Sequence, residues 1–141
     1  MNKKLFKTLY YVLNLTWGAV VSFIGSLIAI ALLITGHKPH LHGGCIYFEV
    51  GEGWGGFEMG LFFFCSKNSS LHTKNHEFGH SIQTAVFGPF MLIVVSLPSC
   101  IRYWYRRIRT SKGLPNKTAY DDIWFEGSAS KLGDKYISYW K

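Results

Sequence analysis

Residues 71–101, LHTKNHEFGHSIQTAVFGPFMLIVVSLPSCI, decide how this 141-residue chain folds. The first third is polar, with histidines at 72, 76 and 80, whereas Ser81 to Ile101 contains no Asp, Glu, Lys or Arg over 21 residues. At ~1.5 Å per residue such a run is long enough for the roughly 30 Å hydrocarbon core of a bilayer. It also contains Gly88-Pro89 and Leu97-Pro98-Ser99. Proline removes a backbone donor and restricts the residue before it, so a straight crossing is disfavoured. The segment reads as kinked, re-entrant or spanning.

A second apolar run precedes it. No charged side chain lies between Thr8 and His37, and Leu9 to Ile34 is mostly aliphatic and aromatic. This reads as an N-terminal transmembrane helix. Lys3, Lys4 and Lys7 resemble the n-region of a signal peptide, but an h-region runs only ~7 to 15 residues, so an uncleaved signal anchor fits better.

Fifteen Lys and Arg against eight Asp and Glu leave a net charge of +7. Three basic residues precede the first run, three lie between the runs (Lys38, Lys67, Lys74) and nine follow Ile101. That distribution places the N-terminus in the cytoplasm of an integral, cell-membrane protein, together with the C-terminus if the second run spans. The Arg102 to Lys112 cluster, interleaved with Tyr103, Trp104 and Tyr105, reads as an anchor facing membrane lipid, so the basic excess requires no nucleic acid. With 48% hydrophobic residues a disordered tail is excluded, and the length excludes a two-lobed enzyme.

Between the runs, His37 to His42 reads as a polar turn. Cys45 to Val50 and Phe57 to Cys65 read as the two strands of a β-hairpin about the glycine-dense segment 51–56. Those glycines precede no Lys-Ser/Thr and no evident helix, so they form a turn and not a phosphate cradle. Cys45, Cys65 and Cys100 lack metal-ribbon or redox spacing; Cys45 and Cys65 are either a cross-hairpin disulfide or buried thiols. Ala119 to Leu132 reads as a final helix stopped at Gly133.

The chemistry centres on His76-Glu77-Phe78-Gly79-His80. Histidines four apart share one helix face and can hold one zinc ion, with Glu77 placed to take a proton from a metal-activated water. A third protein ligand is needed. His72 lies ~12 Å from His80 along a helix axis and cannot join. His37, His40 and His42 lie at a membrane-edge turn and are left unassigned. Glu126 is the better candidate, because Gly127, Ser128 and Ala129 let its helix approach another closely.

Together, His76-Glu77-x-x-His80 and Glu126-x-x-Ala129 resemble the gluzincin metallopeptidases, in particular the membrane-embedded zinc proteases related to the heat-shock and CAAX-processing enzymes. The resemblance covers roughly residues 71–133. It implies zinc on His76, His80 and Glu126, Glu77 as general base, and activity as a zinc metalloendopeptidase. Where that family often has an Asp one residue after the alanine, this chain has Ser130; the contact supporting a zinc histidine is then weaker or comes from Asp121 or Asp122. Site-2 proteases rank lower, since no aspartate motif lies in an apolar segment.

The expectation is therefore an α+β membrane protein. Residues 1–36 form an anchor and residues 37–141 a single small metallopeptidase-like domain that includes the apolar segment 81–101. The partners are membrane lipid and a peptide or membrane-protein substrate; the edge of the Phe57 to Cys65 strand offers such a peptide main-chain pairing, although ordinary core packing is the favoured reading of that strand. An oxyanion donor is sought among Tyr120, Tyr136 and Tyr139. If segment 81–101 spans, however, Glu126 lies a membrane thickness from the histidines. A re-entrant or interfacial run is therefore favoured, against a two-span, non-catalytic interaction or assembly protein in which Glu126 is merely structural.

Overall fold

A computed structural model describes all residues, Met1–Lys141, as an α+β fold of five α-helices and a four-stranded sheet. No single helix is long and apolar enough to cross a membrane. The N-terminal run is not one transmembrane helix but two helices, α1 (Lys3–Leu15) and α2 (Ala19–Ile34), bent by 80°. The break at 16–18 is held by packing. Trp17 Nε1 donates to the Val86 carbonyl at 3.1 Å, and Ser22 Oγ donates to the Asn14 carbonyl left free by the bend, at 2.9 Å. Phe6 and Tyr10 of α1 enter the same core cluster as Phe63, Phe78 and Ile82.

The expected single hairpin is replaced by two. Strand β1 (Pro39–His42) pairs antiparallel with β2 (Cys45–Glu49), so His37 to His42 is partly strand and not simply a polar turn. Strand β3 (Gly56–Met59) pairs antiparallel with β4 (Phe62–Cys65). The Phe57 to Cys65 run splits because Gly60, at φ 70, reverses the chain against Ser22 of α2, where any Cβ would lie 2.1 Å from the serine oxygen. Strands β2 and β4 then run parallel, the order is β1-β2-β4-β3, and β3 becomes an edge.

Alternation along β2 and β4 builds two cores. Cys45, Tyr47, Phe63 and Cys65 belong to the cluster containing Phe6 and Tyr10 of α1 with Phe78 and Ile82, whereas Phe48 and Phe64 pack on Ala29 of α2. Tyr47 stacks on its partner Phe63 at 4.9 Å. Cys45 and Cys65 are buried free thiols and form no disulfide.

Helix α3 (Leu71–Phe87) starts at Ser70, whose Oγ accepts from the Thr73 amide at 3.1 Å. It ends at Gly88, with φ 57. A 3₁₀ turn, a π-helical turn over Leu92–Ser96 and α4 (Leu97–Ser111) follow, with Pro98 in the first turn of α4, where its missing N–H is harmless. The two arms are bent by 115°, so the apolar run doubles back.

Helix α5 (Trp124–Tyr136) follows a 3₁₀ turn over Tyr120–Asp122. Gly133 does not stop it. The helix passes through Gly133 because the missing side chain admits the Asn75 carbonyl of α3, which a Cβ would meet at 1.8 Å.

Candidate metal centre

Gly79 of α3 and Gly133 of α5 bring these two helices into backbone contact, which places Glu126, in the first turn of α5, opposite the histidine face of α3. The doubling back of segment 81–101 carries the chain there. His76, His80 and Glu126 are all buried, and their ligand atoms lie within 4.8 Å of one another.

Hydrogen bonds behind the imidazoles determine what they present. Gln83 Nε2 donates to the Phe125 carbonyl at 2.8 Å, which turns Gln83 Oε1 toward His80 Nδ1 at 2.7 Å. An amide oxygen only accepts, so His80 Nδ1 carries the proton. Ser130 Oγ donates to Asp121 Oδ2 at 2.7 Å and therefore accepts from His76 Nδ1 at 2.8 Å. With Nδ1 protonated, the neutral form of each ring aims an Nε2 lone pair inward. These atoms are 3.1 Å apart and lie 2.9 and 3.2 Å from Glu126 Oε2, while Glu126 Oε1 accepts from Ser99 Oγ. Three acceptors converging in a buried space fit a metal cation, which such a group could hold.

Burial alone raises the Glu126 pKa. When the two Nε2 atoms are protonated, their hydrogen bonds to Oε2, the His80 charge and Ser99 outweigh it and hold the carboxyl well below the usual range; those protons occupy the place a metal cation would take. Tyr120 is shifted up by burial and then by the Glu126 charge, so it stays a phenol.

Glu77 lies on α3 between the histidines, buried, with Oε2 unpartnered. It presses against edge strand β3 at Gly56, where a Cβ would sit 2.9 Å from Glu77 Oε1. A cavity of about 300 Å³ opens here, lined by Gly56, Glu58, Glu77, His80, Ser99 and Tyr120 among others. The cavity thus presents the Glu77 carboxyl group, whose pKa burial raises, an imidazole of the triad and a phenol.

The other sequence candidates fall elsewhere. His72 is exposed, with its ring 6.4 Å from that of His76, and is outside the triad. His42 bonds Asn75 at 2.9 Å, His40 stacks on Tyr47 at 5.0 Å and His37 bonds Thr35 at 3.0 Å. Tyr136 and Tyr139 pack on Phe6, which leaves Tyr120 as the phenol of the three beside the cavity. The support anticipated from Asp121 or Asp122 comes from Asp121, relayed through Ser130.

Sequence reasoning missed Gln83, Ser99, Gly56 and Glu58. Gln83 was within reach, three residues after His80 and so on its helix face. Ser99 was not, because its place depends on the 115° bend. No protein-family model, no curated protein and no solved structure matches this chain.

Proposed function

We propose that this chain is a membrane-anchored zinc metallopeptidase of the gluzincin type, with His76, His80 and Glu126 as ligands and Glu77 as general base. The observation that carries the reading is the convergence of two imidazole lone pairs and a carboxylate beside a cavity lined by the unpartnered Glu77.

Two nitrogens and one oxygen suit zinc, which lowers the pKa of a coordinated water, polarises a carbonyl and leaves a position open to substrate. A peptide extends the sheet along the edge of β3, since main-chain pairing tolerates varied side chains. Glu77 takes a proton from the attacking water as its oxygen bonds to the carbonyl carbon. The phenol of Tyr120 donates to the developing oxyanion. As the carbon–nitrogen bond breaks, Glu77 delivers its proton to the leaving amine.

Glu77→Gln tests this against the rival of a structural metal in a non-catalytic membrane protein. An enzyme keeps its metal and loses peptide turnover by at least about a hundredfold, within the range for a general base. Retained turnover excludes Glu77 as base, and a wild-type chain with bound metal but no turnover on a peptide library favours the rival.

A further inference from the structure

The two bends that interrupt the apolar runs touch each other. Trp17 of the first donates to the Val86 carbonyl, its ring lies 6.0 Å from that of Phe90 in the second, and a Cβ on Gly88 would fall 2.4 Å from it. Tyr10 meets Ser81 and Trp17 meets Val86, so α1 and α3 run side by side in one direction to this shared apex. Helices α2 and α4 lead away from it. Each helix pair is thus a V with an apolar apex and charged arm ends: Lys3, Lys4, Lys7 and Lys38 on one, and Lys74 with Arg102 to Lys112 on the other.

The apex and arms are apolar on the outside. Leu15, Trp17, Val20, Val86, Phe90 and Ile93 are exposed around the apex, and Ile93 is 69% accessible. Along α2, Phe23, Leu27, Ile30 and Ile34 are exposed while Val21, Ser22, Gly25 and Ala29 pack inward; α4 exposes Leu97, Ile101, Trp104 and Ile108. Such a wrapped surface, with apolar residues on several faces and none of them charged, matches acyl chains better than the single flat face of a protein partner. The arm from Lys7 to Gly18, at ~1.5 Å per residue, is about 17 Å long, and Phe90 to Arg102 is similar, against a hydrocarbon core of roughly 30 Å. Driving either arm farther would bury its charged end.

We propose that the chain enters one leaflet only. The joined apexes of its two V-shaped helix pairs insert to about the middle of the bilayer, and the basic arm ends engage anionic lipid headgroups on the side from which they entered. Both termini and the 112–120 loop then share one side of the membrane, whereas the β3–β4 turn at Gly60 and Trp124 of α5, which touch Ser22 and Phe87, enter beside the apex. Exposed Tyr11 lies between apex and arm end, and exposed Trp104 and Tyr105 lie among the arginines at the start of the other arm end, the level favoured by interfacial aromatics. Arg102 and Arg106 donate to the carbonyls of Ala119, Tyr120 and Thr118, Arg107 to Tyr103 and the Gly53 carbonyl, and Arg109 to the Pro115 carbonyl, so headgroup binding falls chiefly to the lysines, with the arginines adding their charge. The inference rests on the membrane half of the proposed function and is independent of the peptidase half.

The test uses the full-length chain with Cys100→Ser, leaving only the buried Cys45 and Cys65 as native thiols. Single cysteines at Lys3, Lys38 and Lys112 are labelled in sealed vesicles with a membrane-impermeant maleimide, and flotation is compared on zwitterionic vesicles with and without phosphatidylglycerol. The expected result is equal labelling at all three positions from one side, and at least a tenfold gain in flotation with the anionic lipid. Labelling of Lys38→Cys from the side opposite Lys3→Cys overturns one-leaflet insertion while leaving membrane attachment intact. Flotation indifferent to lipid charge overturns the headgroup assignment. A chain that stays at the bottom of the gradient with every vesicle, as a soluble monomer or self-associated oligomer, overturns both this inference and the membrane half of the proposed function.

Discussion

The α-carbon of Gly79 faces the Ala129 carbonyl so closely that a methyl group there would lie 1.8 Å from the oxygen. This contact sits inside the His76 to His80 motif, so the residue that lets α5 approach α3 also sets the span between the imidazoles and Glu126. Gly79→Ala cannot be absorbed by a rotamer change, because the obstacle is backbone. Overpacking of this kind destabilises by about 3 kcal/mol. Denaturant unfolding should show that loss, and metal affinity should fall with it as Glu126 moves away.

Ser130 couples His76 to Asp121 at 2.8 and 2.7 Å. Ser130→Ala removes the acceptor that holds the His76 proton on Nδ1. Metal affinity, read by competition with a chelator, should drop about 10- to 100-fold, as for other changes to groups supporting a metal-bound histidine. Ser130→Thr, which keeps a hydroxyl able to accept from His76 and donate to Asp121, should retain most of the affinity.

Gly56 makes room for Glu77, whose carboxylate would lie 2.9 to 3.1 Å from an added Cβ. Gly56→Ala should displace that carboxylate without touching the triad. The expected outcome is a fall in kcat at unchanged metal content. A parallel loss of metal would show instead that the strand supports the ligands.

Glu58 lies on β3 facing α3, with Oε1 accepting from Thr84 at 2.8 Å and from the Gly60 amide and Oε2 without a partner. Burial, with a smaller contribution from the Glu77 charge, pushes its pKa up to about 8 against the opposing effects of His80, Thr84 and the Gly60 amide. A folded value above the ordinary ~4.3 means that the neutral acid stabilises the fold; this contribution is full below about pH 4 and is lost as pH rises through 8. Thermal unfolding of wild type should therefore fall relative to Glu58→Gln between pH 5 and pH 9. Parallel Tm profiles would contradict the assignment.

The parts of this molecule legible in its sequence are those governed by local spacing. Histidines four apart on an apolar helix define one face, and a carboxylate followed by small residues marks a helix able to approach it. What was not legible depends on long-range packing. The break at 16–18 follows from Trp17 reaching Val86 and Ser22 reaching the Asn14 carbonyl, which composition shows only as an uninterrupted apolar run. Likewise Gly60 reverses the chain where α2 presses on it, so one expected strand became two and β3 became the edge beside Glu77. Gly133 looked like a helix terminus and is a helix contact, a distinction set by Asn75 across the interface.

The central claim is that His76, His80 and Glu126 together hold one metal ion. The most direct measurement is the metal content of the purified full-length chain beside that of Glu126→Gln, which can still accept the Ser99 hydrogen bond. One zinc per wild-type chain is expected, and little or none in the variant at equal folded fraction. A wild-type chain without metal, or a variant that keeps its full complement, would contradict it.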